Sequence, residues 1–177
     1  PSNMLYSAML KYAGELYADE NLLAESEFVK AQIIKYSFNG QFFIDNAEMV
    51  EGKILPFADH ISETCQYYAL FFHITGDKNY AAFIKENFGP NRKDGFEYVG
   101  KSNVFIGYYL RLFWLYEQNE YDIVYNEAVE YFYEMSKQTG TLWEHNQASA
   151  SCNHGFGSIV GMLVAKSIEK TKNQDKF

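Results

Sequence analysis

The chain is poor in the residues that interrupt or staple a fold. Only three prolines occur in 177 residues, so little stops a helix once it has started. Two cysteines, Cys65 and Cys152, stand in no metal-type spacing, and the four histidines are scattered. That pattern argues against a zinc or redox centre, and neither a metal nor a cofactor is expected. Cys65 falls on an apolar helix face and reads as a small inert hydrophobe, with no sign of a disulfide to Cys152. Basic residues are outnumbered, 15 Lys and Arg against 23 Asp and Glu, for a net charge of −8. Such a balance argues against nucleic acid, whose phosphates need clustered Lys and Arg, and against an anionic membrane surface. No apolar run is long enough to cross a bilayer. No signal peptide is visible, but the chain begins at Pro1, as a processed or excised piece would, so that lack decides nothing about compartment.

What the chain has in quantity is apolar and aromatic surface. A hydrophobic content of 47% supports a packed core and argues against disorder. Phe and Tyr number 15 each. They serve a large core first, and in a cleft their faces would stack on carbohydrate C–H groups.

Periodicity predicts about seven helices. They run from about Asn3 to Tyr17, Asn21 to Tyr36, Ile61 to Thr75, Asn79 to Phe88, Val104 to Gln118, Tyr121 to Gln138 and His154 to Glu169. The first gathers Met4, Leu5, Ala8, Met9, Tyr12 and Leu16 on one broad face, and the second is seamed by Leu22, Phe28, Val29, Gln32 and Ile33. The third, fifth and seventh are apolar nearly all round, as in Tyr67 to Phe72, Phe105 to Leu115 around the lone interior charge Arg111, and Phe156 to Val164. A helix apolar all round is buried all round. The second and sixth instead carry one stripe each, in the sixth Val124, Ala128, Tyr131, Phe132 and Met135. Odd helices are therefore expected inside and even ones outside.

Connections alternate too. Those leaving odd helices are short: Ala18 to Glu20, Gly76 to Lys78, and Asn119-Glu120. Those entering odd helices are long: Phe38 to His60, Gly89 to Asn103, and Thr139 to Asn153. Long loops in a compact domain are usually functional, and these three are expected to cluster at the N-terminal ends of the inner helices. Asp59 or Ser62 would cap the third helix. Stacked hairpins in two layers describe an all-α fold, a partial (α/α)6 toroid. A superhelix of repeats is the runner-up, but no self-similarity at a fixed period supports it. Six hairpins need twelve helices, so residues 1–177 are expected to form one incomplete domain lacking an N-terminal part.

The third long loop carries Thr139-Gly140-Thr141-Leu142-Trp143-Glu144, followed by Ser151-Cys152-Asn153-His154. Here the chain resembles the six-hairpin catalytic domain of bacterial α-L-rhamnosidases, with their Thr-x-x-Trp-Glu segment and a Ser-x-Asn-His segment opening the next inner helix. Phe43-Ile44-Asp45-Asn46, Ser62 to Ala69 and Asn103 to Arg111 add to the resemblance, which covers most of the chain. It implies an inverting glycoside hydrolase acting on terminal rhamnose. In such enzymes one carboxylic acid protonates the leaving oxygen and a carboxylate roughly 6.5–9.5 Å away activates water. The resemblance makes Glu144 that general base, Trp143 an apolar wall beside it, and His154 a partner for sugar hydroxyls. Without the motif, Glu144 is a solvated loop carboxylate and His154 a helix-start residue bonded to backbone. Asn153 is a substrate-side candidate that also reads as an N-cap, the reading favoured by its position. Glu63 is a hydroxyl acceptor in the cleft or, favoured, a partner of the helix dipole. Gly155 and Gly157 are expected where helix or substrate approaches closely.

The family's general acid lies in an upstream segment rich in Asp, Arg and Glu with a Gly-Trp. Nothing like it occurs here, and the only other tryptophan is Trp114. The chain thus holds the base half of the site, is expected to be inactive alone, and needs the missing part of the barrel or self-associates. Two other classes stay open. Another toroidal carbohydrate enzyme, such as an unsaturated-uronide hydrolase, would set Arg92, Lys93 or Lys101 against a sugar carboxylate. A non-catalytic helical interaction domain would have no pocket. An Asp/Arg/Glu cluster with Gly-Trp upstream of Pro1 would decide the class.

Overall fold

The computed structural model describes residues 1–56, 60–102, 105–147 and 150–174. The fold is all-α, with a single two-stranded sheet among the described residues. Seven α-helices occur there: α1 (Ser2–Tyr17), α2 (Glu20–Ser37), α3 (Glu63–Phe71), α4 (Lys78–Asn87), α5 (Phe105–Glu117), α6 (Tyr121–Thr139) and α7 (Ser158–Gln174). Each matches a helix expected from periodicity, with α3 shorter and α7 starting later. The chain divides into two compact units, Pro1–Glu86 with Lys93–Lys101, and Asn87–Arg92 with Ser102–Phe177.

In the first unit α1 and α2 form an antiparallel hairpin. Ala18 turns the chain in the left-handed conformation, and the Asp19 carboxylate accepts from the Asn21 N–H, capping α2. The hairpin closes on small residues. A Cβ on Gly14 would sit 2.7 Å from Leu23 Cδ2, and the Ser26 hydroxyl donates to the Ser7 carbonyl at 2.7 Å. That contact line overturns the expected face of α1. Met4, Ser7, Ala8, Leu10 and Gly14 are buried, while Leu5, Met9, Tyr12 and Leu16 are 42–76% exposed. Close helix approach selects small side chains, which a hydrophobicity count passes over. In α2 likewise Ser26 and Ile33 are buried and Phe28 is exposed.

The long loop before α3 contains structure the sequence reading left out. Strands β1 (Ala47–Val50) and β2 (Lys53–Pro56) pair antiparallel around Glu51-Gly52. Both turn residues have positive φ, 50° and 76°, as a type I′ hairpin turn requires. α3 begins where two of the long loops meet. Gly100 N–H donates to the Ile61 carbonyl and accepts at its own carbonyl from the Glu63 N–H. Asp45 accepts from both the backbone and the hydroxyl of Ser62, and Ser62 caps α3 through the Cys65 N–H. The alternative cap, Asp59, lies outside the described residues, as do Asn103, Val104 and Ser149. Gln66, fully buried, accepts from Phe43 N–H and the Tyr80 hydroxyl and donates to the Phe43 and Ser62 carbonyls. Its amide is satisfied in all directions, which is what burial of such a group demands.

In the second unit α5 and α6 form another antiparallel hairpin. Tyr108 stacks on Tyr131 at 3.9 Å. Arg111, 1% exposed, makes a bidentate pair with Glu127 at 2.7 Å for both bonds. Gly89 lies against that guanidinium: its φ is 109°, and an added Cβ would stand 2.8 Å from Arg111 Nε. α3 and α5 are buried almost all round, and α6 buries the expected stripe. α7 departs from expectation. It buries Val160, Leu163 and Ser167, whereas Met162 is 43% and the preceding Phe156 77% exposed. Gly161, Ala165 and the charged Lys166 and Glu169 join that exposed side, so α7 has one packing face rather than an apolar circumference.

A cavity carrying Glu144 and His154

The second unit contains a cavity of about 610 Å3 lined by Ile106, Tyr109, Glu144, His154, Gly155, Phe156, Ser158 and Ile159. Its walls come from the first two turns of α5, the first turn of α7, the loop after α6, and the 3-10 turn Gly155–Gly157 between loop and α7. The loop reaches it by folding into a narrow ladder. Glu144 N–H donates to the Ser151 carbonyl at 2.9 Å and His154 N–H to the Leu142 carbonyl at 2.8 Å. Two residues ten apart in sequence are thereby held on one concave surface.

Side chains lock the ladder. Thr141 hydroxyl donates to the Cys152 carbonyl, and Trp143 Nε1 donates to Thr139 Oγ1 at 2.8 Å. Gly157 gives Leu142 its seat: a Cβ there would fall 2.6 Å from Leu142 Cβ. Gly155 has open space around its missing Cβ, so close approach of another part of the chain explains Gly157 and not Gly155, which lines the cavity. At its C-terminus α6 ends on Gly140 in the left-handed conformation, with the Gly140 N–H bonded to the Ser136 carbonyl, which turns the chain into the loop.

The residues singled out from sequence fall in different places. Glu144 and His154 are half-buried and line the same cavity. Trp143 is 5% exposed and anchors the loop through its bond to Thr139; it is not among the described lining residues. Asn153 is exposed. Its expected capping role is overturned, because the cap position of the 3-10 turn is His154 and no side-chain cap bond is made there; the turn starts one residue later than the sequence suggested. Glu63 belongs to the first unit. It is 3% exposed in the first turn of α3 and accepts from the Tyr67 hydroxyl at 3.1 Å, a position that suits a helix-dipole partner.

Sequence reasoning assigned Ile106, Tyr109, Phe156 and Ile159 to the core, and missed Ser158. Phe156 carried the available signal: a large aromatic between two glycines is hard to bury. It lies with its ring 5.5 Å from the His154 ring. Partial burial raises the Tyr109 phenol above its ordinary pKa, so it stays a neutral donor and acceptor at physiological pH. Apolar walls with a few convergent polar groups are what small-molecule sites are made of. Among the described residues no group of three or more His, Cys, Asp or Glu could hold a metal ion, and no helix is long and apolar enough to cross a membrane. No protein-family model matches this chain, and no curated protein and no solved structure matches it either.

Proposed function

We propose that the chain is the base-bearing part of an inverting glycoside hydrolase of the α-L-rhamnosidase kind, within a toroid of helical hairpins. A further part of the same barrel supplies the general acid. The observation that carries the reading is the shared cavity: one carboxylate, one imidazole and two hydroxyls, from Glu144, His154, Ser158 and Tyr109, set among Ile106, Phe156 and Ile159. A pyranose offers apolar C–H faces to the aromatic rings and hydroxyls to the imidazole. Glu144 takes a proton from the water that attacks the anomeric carbon, and the leaving oxygen is protonated from the opposite side. The first turn of α7 forms part of the wall through Ser158 and Ile159.

The uronide alternative has less support. No Arg or Lys occurs among the described lining residues, and Arg92 lies over the Phe88 ring, 5.3 Å from its centroid. Among the described lining residues a sugar carboxylate would meet Glu144 with no Arg or Lys to balance it.

Stereochemistry tests the reading. The full-length protein, given an aryl α-L-rhamnoside in an NMR tube, releases β-L-rhamnose first, and the α anomer grows in by mutarotation. First release of the α anomer, or no hydrolysis at all, contradicts the proposal. His154→Ala is expected to raise KM as well as lower kcat, since it removes a contact already made to bound substrate.

A further inference from the structure

The loop that bears Glu144 is held by a directed chain of hydroxyls. We propose that Thr141 is a positioning residue, setting the placement of Glu144 against His154 through that chain; the inference rests on the general-base reading of Glu144. Each hydroxyl has one proton to give. Thr141 donates its proton to the Cys152 carbonyl. Its oxygen lies 2.7 Å from Thr139 Oγ1, so in that contact Thr139 is the donor. Thr139 in turn accepts from Trp143 Nε1 at 2.8 Å, and the Met135 carbonyl, at 3.2 Å, is the longer alternative for its proton. The chain therefore runs from Trp143 to Thr139 to Thr141 to the Cys152 carbonyl.

The two ends of that chain matter. Trp143 precedes Glu144. Cys152 follows Ser151, whose carbonyl accepts from Glu144 N–H, and stands two residues before His154, whose N–H donates to Leu142. Thr141, one residue before Leu142, thus adds a side-chain tie between the segment of the base and the segment of the imidazole, beside their two backbone bonds. Trp143 is 5% exposed, so water has little access to replace its bond. A carboxylate that must meet a water and an anomeric carbon needs placement to about half an ångström, and a displacement of about 1 Å can cost about 10²-fold in rate.

The test uses the full-length protein and an aryl α-L-rhamnoside. Thr141→Val keeps the shape and removes the donor. It is expected to lower kcat roughly 10-fold to 10²-fold with KM nearly unchanged, and Thr141→Ser to recover most of the loss. In a Glu144→Gln background Thr141→Val is expected to add nothing, because it acts through that carboxylate. An equal further loss in that background makes Thr141 merely structural and overturns the inference. So does a Thr141→Val enzyme as fast as wild type while Glu144→Gln is inactive, an outcome that leaves the function standing. A fully active Glu144→Gln enzyme sinks the general-base reading itself. If Thr141→Val does not fold by circular dichroism, Trp143→Phe removes the first donor of the chain and is read through the same cycle with the same outcomes.

Discussion

Two cysteines with opposite surroundings show how far single residues are legible. Cys65 is 0% exposed, and burial pushes its thiol up to about 12; Cys152 is half-exposed in the loop beside the cavity. An apolar helix face was enough to read Cys65 as inert, since such a face becomes core wherever it packs. The sign of the pH effect follows. A thiol titrates near about 8.5 when unfolded and higher when folded, so its contribution is complete below about pH 8.5 and is lost as pH rises towards about 12. Tyr80, pushed well above its ordinary value by burial, adds in the same direction at higher pH. Urea unfolding is expected to show stability falling between about pH 8.5 and 11, with a shallower fall in Cys65→Ala. A flat wild-type profile, or an unchanged slope in the variant, contradicts the buried neutral thiol. His154 shows the limit at this scale. Its role was suggested by the resemblance that Ser151 to His154 carries, and the bond from its N–H to the Leu142 carbonyl holds it beside Glu144.

Elements were read well where periodicity alone decides and poorly where backbone chemistry does. All seven helices follow from the 3.6-residue pattern. The hairpin Ala47–Pro56 was missed because four-residue strands show almost no alternation, and its one cue, Glu51-Gly52, reads as ordinary loop. The contact face of α1 was missed because Ser7 and Gly14 make it. Gly155 and Gly157 look alike in sequence, and only the position of Leu142 separates them. Arg111 was noted as the one charge inside α5, but its partner Glu127 sat unmarked on a charged-looking helix. That pair makes a prediction for the α5–α6 hairpin. Glu127→Gln leaves a buried guanidinium without its counter-charge and is expected to destabilise by about 3–5 kcal/mol. Gly89→Ala, strained in φ and crowded against Arg111 Nε, is expected to cost about 2–4 kcal/mol. Denaturant midpoints measure both, and a neutral Glu127→Gln would mean that the guanidinium reaches water.

At the scale of the molecule, apolar side chains stay unburied, and those of α1 lie on the face that the sequence reading had packed inward. Leu5, Met9, Tyr12 and Leu16 recur along α1 at helical spacing, each at least 42% exposed, with Phe156 and Met162 exposed around α7. An apolar row along one helix is the kind of surface that a neighbour or partner covers. The chain expressed alone is expected to self-associate, with a sedimentation mass that rises with concentration; a clean monomer with a cooperative melt counts against an incomplete domain. The catalytic claim needs the full-length protein, and one substitution addresses it most directly. Glu144→Gln keeps the shape of the side chain and a hydrogen-bonding oxygen while removing the base. On an aryl α-L-rhamnoside its kcat is expected to fall roughly 10²-fold to 10⁴-fold with KM little changed. A kcat near that of the wild type would make Glu144 an ordinary loop carboxylate and contradict the account of the cavity.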